Sequence, residues 1–317
     1  MKLLISRRLP EANMTEIEGD ARFDVTTRTT TQPMSHDECV AALTDYDIIL
    51  PTLGDLFSAA VFDAAGAVRC KLLANFGVGY NHIDVTAARA HGIEVTNTPG
   101  AVTDATADIA LTLMLMTARR AGEGERMLRA DGWEGWHPTQ MLGFHLSGKR
   151  LGVIGMGRIG QAIAYRCRAG FGMDVVYYNR SEKPVDGARQ LKDVEAVCAQ
   201  SDVVIIAVPG GAETHHLMGA AGFAAMQPHA IFVNIARGDV VDESALVAAL
   251  QSKQIAGAGL DVYEFEPKVP AALKAMENVV LLPHLGTATL EVREDMGRMA
   301  LANVVAFANA EPVLNAV

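Results

Sequence analysis

Short apolar runs alternate with stretches of helical periodicity from Lys2 to Ala308, and that alternation restricts the chain to parallel sheets covered by helices. In the first hundred residues the expected strands are Lys2 to Ile5, Asp47 to Leu50, Leu72 to Asn75 and Ile93 to Thr96. A second series comprises Leu151 to Ile154, Val175 to Tyr178, Val203 to Val208, Ile231 to Asn234, Ala256 to Leu260 and Val279 to Leu282. At 317 residues the chain exceeds one ordinary hydrophobic core, so two domains are expected.

The turn-rich Asn97-Thr98-Pro99-Gly100 leads into a helix starting near Asp104, which makes it the candidate hinge. Beyond the second series only Thr289 to Ala308 remains as one helix, too little for a third domain, and the simplest placement returns it to the first. The expected domains are therefore 1–98 plus 289–317, and 99–288 inserted between them. Half the residues are apolar and a fifth charged, a globular profile. The formal charge of −10 argues against nucleic acid or an anionic membrane as partner. Ile109 to Ala118 is about half the length of a membrane span and reads as a buried or interface helix. The four cysteines form no CxxC pair, and the apolar start at Met1 is too short for a signal peptide. A reducing cytoplasm is the expected location.

Gly155-Met-Gly157-Arg158-Ile159-Gly160 stands between an apolar strand and a helix, the context in which GxGxxG binds a dinucleotide. Gly155 would make the tight turn, Gly157 would admit the pyrophosphate to the backbone, and Gly160 would let the helix pack on the strand. The helix start, with Arg158 and Ile159, would face the phosphates. The expected fold class is α/β: two doubly wound parallel-sheet domains, a Rossmann cofactor domain inserted in a flavodoxin-like substrate domain. About twenty residues past the glycine turn, where an acid would select NAD, the chain has Asn179-Arg180-Ser181. Loss of the acid, with a cation and a hydroxyl alongside, suits a 2′-phosphate, so NADP is expected in preference to NAD. The alternative is that Arg180 stacks on the adenine and both cofactors bind. Gly77-Val78-Gly79 also follows a strand but lacks a third glycine; its amides suit a carboxylate.

Three ionisable residues stand just past late strands: Arg237, Glu266 in Glu264-Phe265-Glu266-Pro267, and His284 in Pro283-His284-Leu285-Gly286. Reducing a 2-oxo acid requires a carboxylate clamp, a proton donor for the developing alkoxide, and a group that keeps the donor protonated. Arginine provides a planar fork, histidine a proton near neutral pH, and a neighbouring carboxylate favours the imidazolium. Singly, each residue also suits an ordinary role as helix cap, solvated loop acid or satisfied core histidine.

Together with the glycine turn, these segments resemble the D-isomer-specific 2-hydroxyacid dehydrogenase family. The likeness is strongest from Asn75 to Ala288 and nearest to its glyoxylate/hydroxypyruvate reductase branch, on Asn97 to Asp108 and Leu282 to Thr289. The resemblance implies that Val78 and Gly79 meet the substrate carboxylate and that Asp261 holds the nicotinamide carboxamide. It also implies that Val208, Pro209, Ile235 and Gly286 line the cofactor, and that the chain is a homodimer joined through its cofactor domains. Trp136 lies in the loop from which a partner subunit's tryptophan can border the pocket; internal packing is the alternative. Glu266 argues against a formate dehydrogenase, which resembles the family but has glutamine there. Phosphoglycerate and D-lactate dehydrogenases remain alternatives, as does a dinucleotide-sensing corepressor, although the chain has no tail for recruiting partners. His215-His216 reads as a helix start without a third metal ligand, His82, His91, His137, His145 and His229 are expected to be unpaired, and no metal is expected.

Overall fold

Valine, isoleucine and leucine dominate the central strands of both sheets, because a parallel sheet with helices on both faces must be apolar on both. The computed structural model describes residues 1–317 and divides into two compact units, Met1–Val102 with Ala288–Val317, and Thr103–Thr287.

The first unit contains β1 (Lys2–Ile5), β2 (Asp24–Thr27), β3 (Ile48–Leu50), β4 (Leu72–Ala74) and β5 (Glu94–Thr96), all parallel, in the order β2-β1-β3-β4-β5. This is the flavodoxin-like order. The strand β2 was not expected from sequence: its residues, Asp-Val-Thr-Thr, alternate between exposed and half-buried at a sheet edge, so no apolar run marks it. The helix Leu290–Ala308 is capped by Thr289, whose Oγ1 accepts from the Val292 amide at 3.3 Å. It packs so closely that a β-carbon on Gly297 would come within 2.2 Å of Asn13 Oδ1, and Asn13 Nδ2 donates to the Glu294 carbonyl at 3.1 Å. After the helix, Ala316 bridges Thr96 antiparallel and the Val317 amide donates to the Val95 carbonyl at 3.0 Å, covering the edge strand β5.

The second unit contains β6 (Arg150–Ile154), β7 (Asp174–Tyr178), β8 (Ala188–Gln190), β9 (Val203–Ile206), β10 (Ile231–Asn234), β11 (Gly257–Leu260) and β12 (Val279–Leu281). Its parallel order is β12-β11-β10-β9-β6-β7-β8. That is seven strands where six were expected; the seventh, Ala-Arg-Gln at an edge, has no apolar pattern to betray it. Ile154, Val176, Val204, Ile206 and Phe232 face one core layer, and Leu151, Val153, Val175, Ile205 and Val233 the other. The helix Thr103–Ala118 lies directly on β11, since β-carbons on Gly259 and Gly257 would come within 2.9 Å of Leu113 Cβ and 3.1 Å of Thr117 Cγ2. The strand order reverses between β6 and β9, which opens a crevice beyond their carboxyl ends. No helix is long and apolar enough to cross a membrane.

Candidate active site

The turn after β6 is shaped by contacts that only glycine permits. Gly155 has a φ of 98°, and a β-carbon there would lie 2.7 Å from the Ala207 carbonyl oxygen. At Gly160 a β-carbon would lie 2.2 Å from the Gly155 oxygen, so the helix Arg158–Phe171 crosses the turn at backbone contact. Gly157, by contrast, faces space with nothing within 4 Å, and as the helix N-cap it has no side chain to occupy the first-turn amides. An open, amide-lined helix start beside a crevice fits a dinucleotide's pyrophosphate. Arg158 is exposed at this start, while Ile159 packs on the core below.

At the end of β7, Asn179 Oδ1 accepts from the Met156 amide at 3.3 Å, and its Nδ2 donates to the Ser181 carbonyl at 3.0 Å and hydroxyl at 3.3 Å. Asn179 thus links the strand end to the glycine turn. The exposed Arg180 guanidinium is ion-paired with Glu213. Across the crevice, Val208 and Pro209 follow β9, and Thr214 Oγ1 donates to the Pro209 carbonyl at 2.7 Å.

The ends of β10, β11 and β12 gather the ionisable residues. Ile235 is buried after β10, and Arg237 follows it in an extended conformation, one guanidinium nitrogen donating to the Ala236 carbonyl at 2.6 Å. Burial pulls the Arg237 pKa down, against the opposing negative charges of Glu266 and Asp239. An arginine remains cationic under such a pull. His284 Nδ1 lies 2.9 Å from Glu266 Oε2, and Glu266 Oε1 accepts from the Tyr263 amide at 3.0 Å. A carboxylate can only accept, so Nδ1 carries a proton and Nε2 is left for another partner. His284 is held in the left-handed region, at a φ of 56°.

Asp261 organises that loop. Its carbonyl accepts from the His284 amide at 2.9 Å, and its carboxylate oxygens accept from the amides of Leu285 at 2.7 Å and Gly286 at 2.8 Å. Burial raises its pKa, and those amide bonds oppose the rise. Both oxygens of the residue expected to hold a carboxamide are therefore already engaged in shaping the histidine turn.

Arg237, Glu266, His284 and Asp261 thus converge in one unit. Val78 and Gly79 belong to the other, in the turn after β4, where Asn75 Nδ2 donates to the carbonyls of Gly77 at 3.0 Å and Gly79 at 3.1 Å. Trp136 is 79% exposed, which rules out internal packing. The expectations about histidines are corrected, those for His91 and His137 included, whose Nδ1 atoms lie 2.9 Å from the Ala87 carbonyl oxygen and 3.3 Å from Thr139 Oγ1. His215 and His216 do not start a helix but follow the short 3-10 turn Ala212–Thr214, and Glu264 supplies a third potential ligand, all three ligand atoms lying within 4.8 Å. Their rings are stacked, with centroids 3.9 Å apart. His229 Nε2 lies 2.6 Å from Asp202, and His82 Nε2 lies 3.0 Å from Asn75. The latter partners stand close in sequence, but Asp202 and Glu264 are brought in only by the folded sheet.

The sequence pattern of the D-isomer specific 2-hydroxyacid dehydrogenase NAD binding domain matches residues 111–286. The chain is 42% identical to a glyoxylate reductase of Thermococcus kodakarensis, covering 98% of this chain and 94% of that one. A Thermococcus gammatolerans glyoxylate reductase is 41% identical, with 98% and 93% coverage. Among solved structures, an NADPH-dependent glyoxylate/hydroxypyruvate reductase from Sinorhizobium meliloti, in complex with NADP and malonate, superposes with a TM-score of 0.87 at 34% identity, covering 100% of this chain and 96% of that one. With two parallel α/β units, a glycine cradle fitted to a dinucleotide and relatives of this closeness, the chain belongs to the D-isomer specific 2-hydroxyacid dehydrogenases and is an NAD(P)-dependent enzyme of that family.

Proposed function

We propose that the protein reduces glyoxylate to glycolate and hydroxypyruvate to D-glycerate, with NADPH as the preferred cofactor and His284 as the general acid. The observation that carries this is the 2.9 Å Glu266–His284 bond beside the half-buried Arg237, at the carboxyl ends of adjacent strands. The dinucleotide, held by Gly155, Gly157, Gly160 and the first turn of the following helix, supplies the hydride when bound. Val208, Pro209, Ile235 and Gly286 would line the cofactor.

Arg237 holds the substrate carboxylate with its fork and draws electron density toward the carbonyl oxygen. As charge develops on that oxygen, His284 Nε2 delivers a proton to it, and the ring remains anchored through its Nδ1 proton to Glu266. In the oxidative direction the same nitrogen removes the hydroxyl proton. Val78 and Gly79 are proposed as backbone donors to the substrate carboxylate.

Asn179, Arg180 and Ser181 are proposed to bind the 2′-phosphate, with Arg180 leaving Glu213 to do so. The Sinorhizobium meliloti enzyme, NADPH-dependent and solved with NADP, supports this reading. We also propose a cytoplasmic homodimer joined through the cofactor unit. There Met116, Leu142, Phe144 and Val280 line a groove of about 530 Å³, and Trp133, Trp136 and Leu142 are exposed. Light scattering that returned a monomer would overturn the assembly.

The direct experiment follows nicotinamide absorbance with purified protein offered glyoxylate, hydroxypyruvate, pyruvate or formate, each with NADPH and NADH. Highest kcat/KM with the first two and NADPH is expected. Turnover with none would remove the reductase reading, and a preference for NADH would remove the assignment of Arg180. The hydroxymethyl group separating the two favoured substrates is worth only about 1–3 kcal/mol, so both should be turned over.

A further inference from the structure

The loop that carries Glu266 is not held in place by the Glu266–His284 bond alone. Two residues before Glu266, the side chain of Glu264 is turned inward: Oε1 lies 2.8 Å from His216 Nε2, and Oε2 accepts from the Glu243 amide at 3.3 Å. In return the Glu264 amide donates to Glu243 Oε1 at 3.3 Å. The Glu264 side chain is only 14% exposed, and Glu243 is buried. Two carboxyl groups are therefore pressed together, and burial, with the charge of Glu264 added, raises the Glu243 pKa. Among the groups at this junction, only the His216 ring donates a proton to the pair from a side chain.

His216 reaches Glu264 from a strained backbone. Its φ is 50°, in the left-handed region that an L side chain with a β-carbon disfavours. The conformation is fixed on both sides: the His216 amide donates to the Asp239 carbonyl at 2.9 Å, the Met218 amide to the Val240 carbonyl at 3.0 Å, and His215 stacks on the outer face of the ring. These backbone bonds join the loop after β9 to the 3-10 segment Gly238–Val240, which directly follows Arg237. At Gly238 a β-carbon would come within 1.8 Å of the Tyr263 carbonyl oxygen, so that segment also abuts the Glu266 loop at backbone contact. The junction of His216, Glu264 and Glu243 is thus where the loops bearing Pro209, Arg237 and Glu266 meet within one unit.

We infer that His216 and Glu264 are positioning residues, whose hydrogen bond sets the loop that presents Glu266 to His284 and Arg237 to the substrate. The inference rests on Glu266 and His284 forming the acid couple. Neither His216 nor Glu264 touches the reacting atoms; they act through the backbone from Tyr263 to Glu266 and through Gly238. Without the His216 proton, the Glu264 and Glu243 carboxyl groups repel each other, and the Glu266 loop is what can give way. Proton transfer is steep in donor distance and angle, so a displacement of about 1 Å there should reduce the rate on the order of 10²-fold.

The test uses the full-length enzyme with His216→Asn, Glu264→Ala and Glu264→Gln. Asparagine tolerates the left-handed backbone but is too short to reach Glu264; glutamine keeps an oxygen for the His216 proton and removes the facing charge. Measured are kcat and KM for glyoxylate, the Kd for NADPH and the melting temperature. His216→Asn and Glu264→Ala should lower kcat on the order of 10- to 10²-fold with a smaller change in KM. Glu264→Gln should restore most of kcat, a rescue that a merely structural role would not give.

A wild-type kcat in the folded variants would overturn the inference, and so would a lower melting temperature with kcat unchanged. If Glu264→Ala does not fold, His216→Asn against Glu264→Gln decides the matter by the same readouts. His284→Gln separates the two levels of failure. Wild-type turnover in that variant means that the acid couple itself is misassigned. An impaired His284→Gln beside an unaltered His216→Asn means that only the positioning role is wrong.

Discussion

A histidine in the left-handed region costs roughly 1–2 kcal/mol relative to ordinary backbone, so the surroundings of His284 must impose it. Asp261 does so, accepting from the amides of residues 284, 285 and 286 in succession. Asp261 thus fixes the backbone from which the ring projects, while Glu266 holds its Nδ1, so the proton donor and its partner can be tested separately by mutation. His284→Gln is expected to leave the Kd for NADPH near wild type and to lower kcat on the order of 10²–10⁴-fold, the usual worth of a positioned acid. Titration of cofactor and single-turnover rates would show it. Glu266→Gln keeps the ring in place but removes the charge that favours the imidazolium. The ring then faces a neutral acceptor in place of a charged one, so kcat should fall on the order of tenfold with KM little changed; a wild-type kcat would dissociate Glu266 from the histidine. Arg237→Lys should fail on two counts. An ammonium cannot reproduce the two-pronged contact, and the burial that already pulls on Arg237 acts on a lysine of lower intrinsic pKa. Kinetics with glyoxylate should show kcat/KM falling by at least about tenfold, the loss of one charge-assisted contact.

Among the elements, the glycine cradle depends most on a single atom. Gly160→Ala places a methyl group 2.2 Å from the Gly155 oxygen, so the helix Arg158–Phe171 must lift off β6. Overpacking of this kind costs roughly 1–3 kcal/mol, which should appear as a lower melting temperature together with weaker NADPH binding in a fluorescence titration. This cradle was legible in the sequence because three glycines at fixed spacing between an apolar strand and a helix have few other uses. The central strands were legible for a similar reason, being apolar on both faces. The edge strands β2 and β8 were not, since one side of each is open and their residues are polar. Arg237, Glu266 and His284 could be singled out because each follows a strand end by a few residues. The His216–Glu264 pair could not: 48 positions separate its members, and only the approach of the β9 loop to the β11 loop brings them together. Asp261 was expected, from the family resemblance, to hold a cofactor group; its grip on the histidine turn is a matter of backbone amides, on which side-chain identity is silent.

At the scale of the whole molecule, all four cysteines, Cys39, Cys70, Cys167 and Cys198, are buried and unpaired, and burial pushes each thiol from an ordinary 9.0 up to about 12. A thiol reagent should therefore find none in the native protein and all four after denaturation, a count that a colorimetric titration gives directly. The same shift sets the sign of an alkaline effect. The folded state keeps the thiols protonated, so its advantage over the unfolded chain is complete below pH 9 and is lost as pH rises from 9 toward 12. Melting temperatures measured across that window should fall. The division of the chain carries a last consequence, for synthesis on the ribosome. The unit Thr103–Thr287 is contiguous, whereas the first unit must wait for Ala288–Val317, whose helix fills the groove beside Asn13 and whose final residues cover β5. The strands made earliest therefore remain open at one edge until Ala288–Val317 has left the ribosome, whereas the second unit needs nothing from that segment.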